Sequence, residues 1–193
     1  MIPERLIVAL TGASGIVYGV RLIEVLKGTG IETHGIITSA AAANLKIEKS
    51  MTAADISKLC AETYDEKDIG GSIASGSFVT RGMAIVPCSM HTLAGVAHGA
   101  SDNLVLRAAD VCLKERRKLI LVPRETPLNL VHLRNMTLAA EAGAIILPAM
   151  PGFYHQPKNI GDLVDFIVGK VLDSLGIEHT LFRRWAGKQA VRG

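Results

Sequence analysis

Aromatic residues are scarce in this chain. Phe, Trp and Tyr make up 4% of its 193 residues, with a single Trp, so a basic surface interleaved with stacking rings for nucleic acid is not available. Charge points the same way: the net +3 is too small an excess to argue for a nucleic-acid partner. The three cysteines, Cys60, Cys88 and Cys112, are odd in number and widely spaced. They offer neither a disulfide framework nor a C-x-x-C motif, which fits a reducing, cytoplasmic setting. The six histidines include no H-E-x-x-H. His91 and His98 stand at helical spacing but find no third ligand, so no metal is expected. No apolar run approaches the ~18 residues of a membrane span, and the N-terminal run is too short for a signal peptide. G-x-x-x-x-G-K-[ST] is also absent, which argues against a P-loop nucleotidase.

What the chain has is aliphatic bulk. Hydrophobic residues reach 49% against 20% charged. This suits a parallel sheet covered on both faces, and the apolar excess also suggests surface buried between subunits of a homo-oligomer. Short aliphatic runs at 5–11, 32–38, 83–87, 118–122 and 144–147 read as strands. Helical patterns fall at 15–28, 39–47, 52–61, 89–98, 103–116, 129–142 and 159–175. This alternation predicts a doubly wound α/β fold, Rossmann-like or flavodoxin-like, within one domain over residues 1–182. Residues 65–82 read as a long Gly/Ser-rich loop, and 183–193 as a basic tail around Trp185. In such a fold, ligands sit beyond the carboxyl ends of the strands, at the switch point.

The first strand breaks into Thr11-Gly12-Ala13-Ser14-Gly15-Ile16-Val17-Tyr18-Gly19. Glycines let backbone approach a ligand, and the following helix start offers free N–H groups and a positive dipole end. A phosphorylated ligand is therefore expected at this first turn. Ser14 stands where a dinucleotide fingerprint needs its second glycine, and the second strand ends in Thr38 and Ser39 without the acidic ribose ligand. Hydroxyls at strand ends suit a monophosphate, which points toward FMN.

Four further stretches carry candidate chemistry. Pro87-Cys88-Ser89-Met90-His91-Thr92 ends the third strand, with Ser89 placed to cap a helix whose N–H groups face a ligand, and Cys88 as a packed core thiol. Asp102 is the expected N-cap of helix 103–116, where Arg107, Asp110 and Lys114 share a face. Arg124-Glu125, between Pro123 and Pro127, directly follows a buried strand. Arg there offers a fork to phosphate, and a half-buried Glu beside a phosphate would hold a proton to give it. Pro151-Gly152-Phe153-Tyr154-His155-Gln156-Pro157 reads as a rigid loop with Tyr154 as a donor. Each stretch also has a plainer reading, as an N-cap, a solvated helix face, a surface ion pair or a packing ring.

Taken in order, TGASGIVYG, PCSMHTLAGVAHGASDNLVLRAADVCLKERRKLILVPRETPL, HLRNM and PGFYHQP resemble the UbiX-type flavin prenyltransferases over nearly the whole chain. The resemblance implies a flavodoxin-like, FMN-binding fold. It implies transfer of a dimethylallyl group from dimethylallyl monophosphate to N5 and C6 of reduced FMN, without metal. It further implies a dodecamer with sites at subunit interfaces, and a prenylated flavin that serves a UbiD-type decarboxylase, for example in ubiquinone biosynthesis. It places Gly12, Ala13, Ser14, Thr38, Ser89, Met90, His91, Thr92 and Arg124 against FMN, with Ser14 near N5. Arg107, Lys114, Glu125 and Tyr154 fall around the donor phosphate, Glu48 and Glu125 as acid/base carboxylates, and Trp185 at the prenyl pocket. Lys170 stands where the family often has Arg, which changes a bidentate grip on the donor phosphate into a point charge.

Two other readings stay open at this level. An FMN-dependent decarboxylase of a cysteine-containing compound shares the first turn, but its P-x-M-N-x-x-M motif does not close here, where Asn135-Met136 lacks the preceding Pro. A non-catalytic FMN-binding flavoprotein would leave Arg124-Glu125 and the Arg107/Lys114 stripe without a ligand to serve.

Overall fold

In a computed structural model, residues 3–185 and 187 are described. Six strands form one sheet: β1 (Arg5–Leu10), β2 (Glu32–Ile37), β3 (Glu62–Asp65), β4 (Gly82–Cys88), β5 (Lys118–Pro123) and β6 (Ile145–Ile146). Seven helices accompany them: α1 (Ile16–Leu26), α2 (Ser39–Lys49), α3 (Ala53–Ser57), α4 (Met90–Ala97), α5 (Leu104–Lys114), α6 (Leu130–Glu141) and α7 (Ile160–Leu175). Strand order is β3-β2-β1-β4-β5-β6, with every pairing parallel. Order reverses between β1 and β4, so the crevice opens at the ends of those two strands.

Period-two alternation in the strands divides the core. Leu6, Val8 and Leu10 of β1 face one cluster, with Ile16, Ile23 and Leu26 of α1 and Val164, Val168 and Leu172 of α7. Ile7 and Ala9 face the other, with Leu93 of α4 and Leu104, Ala108 and Cys112 of α5. Both faces are covered, which is why the strands read as continuous apolar runs. Cys88 is fully buried, and burial pushes its thiol well above the usual range.

The helices begin where local chemistry caps them. Thr38 Oγ1 accepts from Ala41 N–H and Ser89 Oγ from Thr92 N–H, while Asn129 with His132 and Asn159 with Asp162 form capping boxes. These contacts satisfy N–H groups that the first helical turn leaves free. The cap of α5 differs from expectation: Asn103, rather than Asp102, accepts from Leu106 N–H at 3.0 Å. Strand β3 also departs from the sequence reading. It begins just before the segment taken as a loop and pairs in register with β2 from His34↔Glu62 to Ile37↔Asp65. Its residues, Glu-Thr-Tyr-Asp, contain no aliphatic side chain, and only Tyr64 is buried. Beyond it, Ser72–Ala74 forms a 3₁₀ turn.

Candidate active site

The switch point is held open by one threonine. Thr11, just past β1, donates from Oγ1 to the Pro87 carbonyl at 2.7 Å and accepts from Ser89 N–H at 2.8 Å. It thereby links the ends of β1 and β4 at the place where Pro87 removes a ladder N–H and the β4–β5 register shifts. A cleft of about 330 Å³ opens there, lined by Thr11, Gly12, Thr38, Ser39, Glu66 and Thr92 among others. Ala40, Ser89, His91, Asn103 and Val105 complete the wall. Its size lies within the range of small-ligand sites. Three helix starts border it: α2 behind Thr38, α4 behind Ser89 and α5 behind Asn103. Gly12 is needed for close approach, since a Cβ there would lie 2.6 Å from Ala40 Cβ.

At the first turn the N–H groups find a partner within the chain. Glu48, at the far end of α2, accepts from Gly15 N–H at 3.0 Å and Ile16 N–H at 3.0 Å. Gly15, in the left-handed region at φ 95°, supplies no side-chain cap, so this carboxylate is the anion at the start of α1. Asn44 Nδ2 donates to the Ala13 carbonyl at 3.0 Å. The loop 11–15 is thus pinned from α2, with Ala13 buried and Gly12 and Ser14 exposed. The start of α2 is likewise met by a carboxylate, with Glu66 accepting from Ser39 N–H at 2.8 Å.

Arg124 reaches this loop from the end of β5, donating Nε–H to the Ser14 carbonyl at 3.1 Å. The Cγ of its stem lies 3.9 Å from where a Cβ on Gly15 would stand, and Ser14 is exposed. Glu125 follows Arg124 in sequence. It is exposed, where the sequence reading has it half-buried, and accepts from Thr126 N–H at 3.0 Å, and no Arg124–Glu125 ion pair, the plainer alternative, forms among the described residues. Met90 stands half-buried at the start of α4.

The remaining expected residues sit elsewhere on the chain. Arg107 donates to the Ala74 carbonyl at 3.2 Å and pairs with Asp110 at 3.1 Å. Lys114 pairs with Glu115 at 2.6 Å, two turns further along α5, on the order of 10 Å away. Tyr154, Phe166 and Trp185 form an edge-to-face group, with centroids 5.7 and 5.9 Å from Tyr154. His155 stacks on Phe166 at 5.0 Å, with both ring nitrogens buried and unpartnered. Lys170 is exposed on α7, with Nζ 3.8 Å from Asp173. The described part of the chain therefore brings together Gly12, Ser14, Thr38, Glu48, Ser89, Thr92 and Arg124, and separately Tyr154 with Trp185. Most of the 183–193 tail lies outside the described residues. Among the described residues no group of acidic, His and Cys side chains could hold a metal ion, and no helix is long and apolar enough to cross a membrane.

Comparison with known proteins decides the family. A family model described as Flavoprotein matches residues 2–172. The chain is 52% identical over 185 residues to the flavin prenyltransferase UbiX of Methanothermobacter thermautotrophicus, covering 96% of this chain and 97% of that one. It belongs to the UbiX family of flavin prenyltransferases. Its fold superposes on AnUbiX (PadA1) in complex with FMN and dimethylallyl pyrophosphate with a TM-score of 0.94, at 42% identity, covering 96% of this chain and 98% of that one. It superposes on a dodecameric FMN-dependent Ubix-like decarboxylase from Escherichia coli O157:H7 with a TM-score of 0.93, at 44% identity, covering 95% and 100%. Peptidyl-cysteine decarboxylase EpiD shares the fold alone, at 19% identity and a TM-score of 0.63.

Within this prenyltransferase, three residues of the cleft and its walls lie outside the set of site residues read from the sequence. Thr11 acts as a strand-end tie, Asn44 as the anchor of Ala13, and Glu66 as an acid inside the cleft. Thr11 was the most accessible to sequence reasoning, since a hydroxyl residue directly follows the first buried strand. The other two act on partners 31 and 27 residues away, which no spacing rule reaches.

Proposed function

We propose that this chain transfers a dimethylallyl group from dimethylallyl monophosphate to reduced FMN, forming bonds at N5 and then C6. The observation that carries the reading is the cleft at the β1/β4 switch point. Its hydroxyl-rich walls and helix starts suit a flavin monophosphate, and the Ser14 loop beside it is braced by Glu48 and Arg124. Gly12 and Ala13 present backbone to the ring, Ser14 Oγ faces N5, and Ser89, Met90, His91 and Thr92 line the α4 side. Thr38 and the start of α2 take the FMN phosphate, because that helix offers N–H groups and a positive end.

Prenyl transfer breaks the carbon–oxygen bond to the donor phosphate, with the electron pair leaving on phosphate and N5 losing its proton; the second bond, at C6, consumes the prenyl C=C bond, which takes up a proton as C6 gives one up. The electron-rich reduced flavin supplies the nucleophile. The protein must hold the leaving phosphate, give it a proton and keep water from the developing cation. Glu125 and Glu48 are the acid/base carboxylates in this reading. Arg107, Lys114, Tyr154 and Lys170 hold the donor phosphate, and Trp185 walls the prenyl group. These residues are dispersed on one chain, so the reading includes a homo-oligomer, a dodecamer, in which neighbouring copies complete each site. Support comes from large apolar side chains left on the surface: Val131 is 62% exposed, Met150 65% and Phe153 68%. The prenylated flavin passes to a UbiD-type decarboxylase.

Anaerobic incubation with reduced FMN and dimethylallyl monophosphate, followed by mass spectrometry of the flavin, tests the reaction. One added prenyl unit, retained in the presence of a metal chelator, is the expected result. Unmodified flavin would return the chain to simple FMN binding.

A further inference from the structure

Glu66 is an acid in a cleft otherwise suited to an anion. It follows β3, where the Glu66 carbonyl accepts from Leu104 N–H at 2.7 Å, tying this point of the chain to the first residue of α5. From there its side chain reaches the start of α2. Glu66 Oε1 accepts from Ser39 N–H at 2.8 Å and from the Ser39 hydroxyl. Among the described residues it has no cationic partner. Ala41 N–H is already bonded to Thr38 Oγ1, so the Ser39 donors are the ones that Glu66 withholds. A carboxylate at a helix start is favourable for the helix. A phosphate needs the same N–H and hydroxyl, and two anions cannot share them.

We infer that Glu66 is a built-in competitor for the flavin phosphate, loosening the grip of the α2 start on FMN and speeding flavin release. The inference rests on the placement of the FMN phosphate at the start of α2. When phosphate binds, Glu66 gives up Ser39 and turns toward solvent; when phosphate leaves, Glu66 takes the donors back. An enzyme whose modified flavin is handed on gains from a grip that is strong enough to position the ring and weak enough to let go.

The experiment measures equilibrium binding and release of oxidised FMN and riboflavin by flavin fluorescence, using the full chain, E66A, E66Q and S39A. Removing one negative charge a few ångström from a phosphate carrying about two corresponds to about tenfold tighter binding. E66A is expected to bind FMN more tightly by that factor, with slower release and unchanged riboflavin affinity. E66Q is expected to tighten FMN by less, because its amide oxygen can still accept from Ser39 without the charge. FMN affinity unchanged or weakened in E66A would overturn the inference, as would equal tightening for riboflavin. The underlying placement has its own readout. If the unaltered chain binds FMN no better than riboflavin, or S39A leaves FMN affinity untouched, the phosphate lies elsewhere and the inference falls with it.

Discussion

Gly19 allows a stringent test of how the site is built. It lies on the buried side of α1, and a Cβ added there would stand 2.1 Å from the Val86 carbonyl oxygen and 2.2 Å from Leu10 Cδ2. Ordinary non-bonded contacts need about 3.5 Å, so Gly19→Ala must push α1 off the sheet by roughly 1 Å or more. The nearest atom is backbone of β4, which cannot rotate aside. Overpacking of this kind costs about 1–3 kcal/mol, and a clash with backbone belongs at the upper end. For a chain of this size each kcal/mol moves the melting temperature by about 2–4 °C, so G19A is expected to melt roughly 6–12 °C below the unaltered protein. Because α1 begins at the Gly15 and Ile16 N–H groups held by Glu48, the displacement is expected also to disturb the Ser14 loop and weaken FMN binding.

Gly28→Ala is the matched control. Gly28 is exposed, and its added Cβ would meet only the Val25 carbonyl oxygen at 3.6 Å. That change is expected to be neutral or stabilising by up to about 1 kcal/mol, through a less flexible unfolded chain. Thermal and urea unfolding of both variants, with flavin titration, gives the comparison. If G19A melts within about 2 °C of the unaltered protein, close α1–β4 packing is not what this glycine provides.

Three other changes probe different links. Glu125→Gln is expected to keep FMN binding and to lower prenyl transfer by about 10²–10⁴-fold, the usual loss for a general acid; near-normal single-turnover rates would leave Glu125 as a loop residue bonded to Thr126. Lys170→Ala is expected to raise the donor Michaelis constant by roughly ten- to a hundredfold with FMN affinity unchanged, as one charge-assisted hydrogen bond of about 1.5–3 kcal/mol is lost; unchanged donor saturation would make it a solvated partner of Asp173. His34 titrates below the ordinary His value because it is buried, despite Glu62 and Glu32, and Arg5 lowers it further. The unfolded chain then takes up a proton first, so stability is expected to fall as pH drops below about 6.5; in His34→Gln, melting curves between neutral and mildly acidic pH should lose part of that slope, and identical slopes would refute the link.

Helices and buried strands were legible because their signals are local. Ser89, read as a cap, stands one residue before a helix and accepts from its first turn, and Thr38, Asn129 and Asn159 do the same, the last two one residue outside the helices that the pattern begins at them. The strands β1, β4 and β5 are aliphatic runs because helices cover both of their faces. Strand β3 was hidden for the converse reason. An edge strand needs apolar residues only where something covers it, and there Tyr64 alone does the packing, with its hydroxyl bonded to Glu62 and Ser72. The Asp102 assignment failed by one residue, within the usual scatter of helix ends.

The candidate site was legible in its hydroxyls and only partly in its charges. A hydroxyl at a strand end or helix cap is positioned by its own neighbours, so Ser14, Thr38 and Ser89 fall where a local rule puts them. A charged side chain is long, and its partner is decided by what the fold brings near. Arg124 and Glu125 are adjacent in sequence, yet one bonds to a carbonyl 110 residues away and the other to the next residue. Glu48 and Glu66 each reach a turn of α1 or α2 from about 30 positions away. These two acids occupy helix starts that a glycine- and hydroxyl-based reading assigns to ligand anions. The fold therefore satisfies its own dipoles with carboxylates, and a phosphate entering the α2 start has to displace one of them. Binding at that point is an exchange of anions, and its strength depends on the acid as much as on the donors.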